Sequence, residues 1–202
     1  MKAIAMDEHD WRQLAAAPDA RAELEARFPA LMRATRDALY ATLKRIVRSD
    51  EDAEDLLQDT YLRALSRLNS YRGEGSPEAW LRQIAVRLAL NHLRSRRLRR
   101  MLPWPLPAGD DGRRVETEAG AERRQGPDEE AEGGQRRRRL EALLAAHPAK
   151  AQAAFALRHL EDRPYAEIAE LIGASEATTR SLVSRTVSRL EREIRERGWS
   201  DD

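Results

Sequence analysis

Between Met101 and Gln135 the chain loses its hydrophobic period. The stretch MLPWPLPAGDDGRRVETEAGAERRQGPDEEAEGGQ is rich in Pro, Gly and acids, and such a composition buries too little apolar surface to offset the entropy of ordering it. Helical spacing is regular on either side, so the break divides the 202 residues into two small helical pieces rather than one large core. The expected fold class is all-α: two small helical domains joined by a flexible acidic linker. The expected organisation is an N-terminal extension at 1–28, a first domain at 29–100, the linker at 101–135 and a second domain at 136–202. A charged fraction of 35%, few aromatics and abundant Ala, Leu, Arg and Glu favour helices over sheet.

In the first piece, Leu39, Leu43, Ile46 and Val47 fall at helical spacing, and Ala53, Leu56, Leu57, Leu65 and Leu68 repeat it. Ser49-Asp50 between them supplies an N-cap region, and the acids that follow sit well at the positive end of a helix. The segment NSYRGEGSPEAW then interrupts the pattern with Gly73, Gly75 and Pro77, and Ser76-Pro77 opens a third helix. Its inner face is Trp80, Leu81, Ile84, Leu88 and Leu93; Arg82, Arg87, Arg94, Arg96, Arg97, Arg99 and Arg100 crowd the rest. Upstream, the extension shows short helical stretches near Trp11 and from Pro18 to Arg27, without visible chemistry.

Several function classes are poorly supplied. The absence of cysteine removes disulfides, thiolate zinc sites and cysteine nucleophiles. The four histidines, His9, His92, His147 and His159, are scattered without ligand spacing, and no phosphate-binding glycine loop with its lysine occurs. No catalytic residue, metal or cofactor is expected, and the chain is not expected to be an enzyme. No apolar run is long enough for a membrane span and the N-terminus lacks a secretory layout, so a cytoplasmic location without membrane insertion is expected. The net charge of +1 is a sum over blocks of opposite sign.

Two of those blocks carry chemistry. In YAEIAELIGASEATTRSLVSRTVSRL, Ala169 precedes Gly173 by four residues, and Thr179 and Leu182 follow it by six and nine. That spacing suits a helix-turn-helix: a small residue where helices touch, a glycine for positive φ in the turn, and semi-buried positions on the second helix. Ser175 is placed as the second helix's N-cap. Glu176, Thr178, Arg180, Ser181, Ser184 and Arg185 would then face a major groove, although a larger aliphatic residue would pack better than Thr179. By spacing alone a helical hairpin with a solvated Arg/Glu face remains open. The second block, SDEDAEDLLQDTYLRAL, carries six acids before Thr60, which excludes DNA as its partner and suits a basic, partly apolar protein surface, although taken by itself a solvated first turn enriched in acids for the helix dipole is the commoner reading.

In order and spacing, the residues from about Leu39 to Arg100 and from His147 to Arg195 resemble the extracytoplasmic-function group of sigma factors in the sigma-70 family. DAEDLLQDTYLRAL resembles the segment that grips the clamp helices of the largest polymerase subunit. SYRGEGSPEAWLRQIAVRLALNHLRSRR resembles the element that opens and reads the minus-ten box, and the terminal helix-turn-helix resembles the minus-thirty-five reader. The resemblance implies polymerase contacts at Asp52, Asp55, Gln58 and Asp59. It implies minus-ten contacts at Asn69, Tyr71, Arg72, Arg87, Asn91 and Arg94, and minus-thirty-five contacts at Glu176, Thr178, Arg180, Ser181, Ser184 and Arg185. Tyr71 reads equally as a base-stacking group and as a core anchor. The implied partners are core RNA polymerase, through the clamp helices and the flap of the second-largest subunit, and promoter DNA, with room for an anti-sigma factor.

Three departures limit the inheritance. Arg87 stands where many relatives carry asparagine, Leu182 where many carry arginine, and HPAKAQ replaces the usual Leu-Pro pattern, so base preference does not transfer. The competing readings are a stand-alone helix-turn-helix regulator with an N-terminal effector or dimerisation domain, and a helical protein-interaction module.

Overall fold

The computed structural model describes residues 20–71, 73, 75–101 and 130–197, which form seven α-helices and no strand. The first, α1 (Ala20–Val47), runs across the boundary expected between extension and first domain. Leu24 and Phe28 are each 2% exposed and join the core, so the extension ends no later than the start of this helix. Pro29 does not divide α1. It removes one helical hydrogen bond, but Leu24, Phe28 and Leu31 on either side of it are all buried and hold the helix to the bundle. The short helix expected near Trp11 lies outside the described residues.

Between α1 and α2 (Asp50–Ser66) the chain turns through Arg48, a non-glycine residue with φ 60°. Ser49 caps α2 as expected, its Oγ accepting from the Asp52 N–H at 3.2 Å. Ala53, Leu56, Leu57 and Ala64 face inward, whereas Leu65, expected on that face, is 39% exposed. A 3-10 turn at Leu68–Ser70 and a loop with Gly73 and Gly75 at positive φ lead to α3 (Pro77–Met101). Ser76 Oγ accepts from the Ala79 N–H at 3.1 Å, which fixes where α3 begins.

Helicity returns at Glu130, five residues before the expected end of the linker, in α4 (Glu130–Ala145). It is followed by α5 (Ala149–His159), α6 (Tyr165–Ile172) and α7 (Glu176–Glu196). The α6–α7 turn is built as the spacing predicts. Gly173 has φ 61°, and the Ala174 N–H reaches back to Ala169 O at 2.9 Å, the closing bond of a Schellman cap. Ser175 then caps α7, accepting from the Thr178 N–H at 3.1 Å. Thr179 is fully buried and donates its hydroxyl to Ser175 O at 2.9 Å, so a polar side chain fills an apolar position without an unmet hydrogen bond.

The two halves do not keep separate cores. Helix α5 packs on α1 and α3 as well as on α6 and α7. Ala149, Ala153, Ala154 and Leu157 join one apolar cluster with Leu43, Ile46, Leu81, Val86 and Leu90 of the first half and Ile168 and Val183 of the second. The run of alanines on α5 is what permits this close approach, since small side chains let helices meet near the lower end of the usual 8–10 Å axial distance. A polar seam borders the apolar contact. Arg45 lies 3.4 Å from Glu161, Arg82 lies 3.6 Å from Glu167, and the Arg48 guanidinium donates to the Gln152 side-chain oxygen. Arg163 braces both acids, at 2.8 Å from Glu161 and 2.5 Å from Glu167.

Candidate nucleic-acid interface

Three surfaces carry the residues singled out from the sequence. On α2, Asp55 and Gln58 are exposed and Asp59 is half-buried, and together they lie on one stripe because their spacing of three and four follows the helical turn. Asp52 lies at its edge and turns towards α3. Its carboxylate is 3.3 Å from His92 Nε2 and 3.7 Å from Arg96. The imidazole, then Arg96 and the Ser49 hydroxyl, hold the Asp52 carboxyl below the usual carboxylate range against the opposing effect of partial burial. Asp52 is thus engaged inside the protein. Leu62 extends the stripe one turn further and is 62% exposed. Sequence reasoning passed over it because a leucine on an amphipathic helix is ordinarily assigned to the core; its phase, seven residues from Asp55, was the available signal.

The second surface is the outer face of α3. Arg87, Asn91 and Arg94 are all exposed, spaced by four and three residues, and Arg94 donates to the Asn91 side-chain oxygen at 3.0 Å. The backbone of Asn69 lies in the 3-10 turn that precedes the loop leading to α3, and Arg72 lies outside the described residues. Tyr71 does not offer its ring to a ligand. It is 4% exposed, its hydroxyl donates to Gly75 O at 3.0 Å, and its ring lies 5.4 Å from Trp80. Of its two readings the core anchor is the one built: Tyr71 shapes the loop from inside and cannot stack on a base from this position.

The third surface is α7. Glu176, Thr178, Arg180, Ser184 and Arg185 are exposed and Ser181 is half-buried. Thr179, Val183, Thr186 and Leu190 form the buried face of the same helix. Two of the candidate contacts hold each other, since Arg180 lies 2.5 Å from Glu176, and the Arg180 guanidinium also sits 4.5 Å over the Tyr165 ring. Tyr165, at the start of α6, was not singled out from the sequence. Arg185 Nε donates to Ser181 O at 3.2 Å along the helix. A guanidinium held between a carboxylate and an aromatic face keeps its direction at little entropic cost when it meets a base edge.

The second and third surfaces adjoin. Arg94, Arg97, Leu98 and Met101 of α3 share one groove of about 510 Å³ with Lys150 of α5 and Thr178 and Leu182 of α7. No group of ligating side chains able to hold a metal ion occurs among the described residues, and none of their helices is long and apolar enough to cross a membrane.

Comparison with known proteins follows the same division. Residues 31–99 match the family model for sigma-70 region 2, and residues 137–190 match that for sigma-70 region 4. The ECF RNA polymerase sigma factor SigE of Mycolicibacterium smegmatis is 30% identical over 155 residues, which cover 77% of this chain and 56% of that protein. The RNA polymerase sigma-E factor of Streptomyces avermitilis is 26% identical, over 84% of this chain and 86% of that protein. The fold resembles that of CnrH in its complex with the cytosolic domain of CnrY, with a TM-score of 0.58 at 18% identity over 94% of this chain and 99% of that one. It also resembles the sigma factor RpoE bound to the anti-sigma factor NepR from Bartonella quintana, with a TM-score of 0.50 at 23% identity over 89% and 98% of the two chains.

Proposed function

This chain belongs to the sigma-70 family, within its extracytoplasmic-function group, and on that premise we propose that it is a dissociable promoter-specificity subunit of RNA polymerase. It docks on the core enzyme through the α2 stripe of Asp55, Gln58, Asp59 and Leu62. It engages the minus-ten region through Arg87, Asn91 and Arg94, and the minus-thirty-five element through Arg180 and Arg185 with the hydroxyls of α7. Catalysis stays with the polymerase. What carries the reading is the presence, in this order in one chain, of an acidic-apolar helix face, an arginine helix face and a capped helix-turn-helix, each inside the family segment expected to hold it.

The chemistry of each surface supports its assignment. Carboxylates beside an exposed leucine can pair with arginines on a partner's helical hairpin while the leucine fills an apolar socket. Guanidinium forks hold phosphates and guanine edges in duplex DNA, and an arginine-and-asparagine face holds unpaired bases by edge hydrogen bonds. By likeness to the solved complexes of CnrH with CnrY and RpoE with NepR, an anti-sigma protein is a proposed further partner.

The closed arrangement adds a requirement. Arg94 and Thr178 line one groove, yet the two promoter elements they are assigned to lie about 85 Å apart at ~3.4 Å per base pair. Both elements cannot be held until the second half leaves the first. Binding to core polymerase is the step that supplies this separation, because it offers each half a competing surface.

Run-off transcription with purified core enzyme on a promoter library tests the function. Initiation that depends on this chain and is selective at both elements is expected. Tight binding of duplex DNA by the free protein without any initiation would instead favour a stand-alone regulator.

A further inference from the structure

Where the two halves meet, α1, α3, α4 and α5 enclose a cavity of about 300 Å³ that none of the assigned contacts uses. Arg48, Arg96, Arg97 and Arg100 line it against the single acid Glu141, with Gln152 closing one side. Charges of one sign therefore predominate in a partly desolvated space.

Arg48 is built into that position. Its backbone is left-handed, φ 60°, a conformation uncommon in residues other than glycine, and its side chain turns into the seam to reach Gln152. Burial lowers the affinity of its guanidinium for a proton; Glu141 opposes this, while Arg96 and Arg100 add to it by repulsion. Arg96 has Asp52 at 3.7 Å, but among the described residues no carboxylate is paired with Arg97 or Arg100. All four arginines belong to the first half and repel one another there, the second half sets only Glu141 and Gln152 against them, and a multivalent anion seated among the guanidiniums would turn that repulsion into attraction. Planar guanidinium forks approached from several sides match phosphate oxygens better than single carboxylates. The volume lies at the small end of ligand sites, enough for a short run of phosphates and far too narrow for a duplex. The side chains lining it include no aromatic ring, so the phosphates rather than a base must carry recognition.

We infer that this cavity binds a small polyphosphate, free or carried on a nucleoside, held by the arginines of the first half. The site stands on its own geometry and does not depend on the function proposed above.

The test uses the full chain, titrated calorimetrically and followed in thermal unfolding with sodium tripolyphosphate and, in parallel, with ATP, at fixed ionic strength and without magnesium. Saturable one-to-one binding is expected, with a rise in Tm of about 5 °C at a hundredfold excess over Kd. Equal affinity for both probes assigns recognition to the phosphates alone, and tighter binding of ATP assigns part of it to the nucleoside. Arg48→Gln and Arg100→Gln should each weaken binding by about tenfold or more, whereas Arg99→Gln, on the same helix but outside the cavity, should leave it intact. Arg100 is exposed at the end of α3, so its variant keeps the test open should Arg48→Gln fail to fold. A Tm shift reproduced by sodium sulfate at matched ionic strength, or an equal loss in Arg99→Gln and Arg100→Gln, would overturn the site. These readouts need no promoter, so their failure removes the site alone, and a failed run-off experiment removes the transcription reading alone.

Discussion

Arg82 of α3 and Glu167 of α6 meet at 3.6 Å across the seam, tying the helix assigned to the minus-ten region to the short helix that supports the minus-thirty-five reader. Arg45 repeats the link through Glu161, whose side chain is only 6% exposed. Both arginines remain partly solvated, so each pair contributes modestly, and the alanine face of α5 supplies the larger share of the closure.

Reversing both arginines, Arg45→Glu with Arg82→Glu, places like charges opposite Glu161 and Glu167. The closed-to-open ratio should fall by about tenfold or more, since like-charge contacts across a partly buried seam cost at least 1–2 kcal/mol together. Small-angle scattering should report a larger radius of gyration than for the unaltered chain. An unchanged radius would mean that the apolar contact alone holds the halves together.

Leu62→Asp and Asp55→Arg each alter an exposed side chain on α2, so neither should affect stability by more than about 0.5 kcal/mol. Affinity for core polymerase should drop by about tenfold or more for each, the leucine by losing an apolar anchor and the aspartate by charge reversal. Competition against a labelled sigma factor measures this. Asp52→Asn should be the weaker docking variant, because Asp52 faces His92 and Arg96 within the protein.

Arg180→Ala should cost about 1–3 kcal/mol at the base pair it contacts and relax selectivity there. Tyr165→Leu keeps every charge but removes the ring under the guanidinium, 4.5 Å away, and should cost about 0.5–1 kcal/mol at the same base pair. Binding of the variants to a set of upstream-element substitutions distinguishes them: a uniform loss over all sequences would make Arg180 a phosphate contact.

Stability should fall on the acid side through two groups. His147 is 5% exposed, and burial first, then Arg189, lowers its pKa below the ordinary imidazole value, with Glu193 opposing. The unfolded chain then binds the proton more readily, so the contribution of His147 is complete above about pH 6.5 and shrinks as pH falls towards the folded value. Asp52, also held low, contributes fully above about pH 4 and is lost below that. Denaturant unfolding between pH 7.5 and 5 should show a decline that His147→Gln flattens; a decline of the same size in that variant would assign it elsewhere.

Much of this was legible in the sequence because local chemistry dictated it. Ser49, Ser175 and Gly173 occupy cap and turn positions that few other residue types fill well, and all three act there as read. The apolar period located the buried faces of α2 and α3. What the sequence hid depends on tertiary contact. The Leu24 and Phe28 turns read as part of a short helical stretch in the extension, and only the packed bundle reveals that they share the core. Small alanines on α5 read as helix formers, yet they make the surface on which the two halves join. A tyrosine in a loop beside an arginine-rich helix suits base stacking as well as anchoring, and the bond to Gly75 decides for the anchor. Arg48 and Glu141 lie far apart in sequence, so the arginine cavity has no linear signature at all.

On the proposed function, one chain holds both ends of a promoter only when delivered by polymerase. Run-off transcription with core enzyme, on matched templates bearing both elements, either one or neither, tests it most directly. Initiation should require this chain, be strongest with both elements and fall on loss of either, while the free protein binds the same duplexes weakly. Initiation indifferent to both elements, or none at all beside tight duplex binding by the free chain, would contradict it.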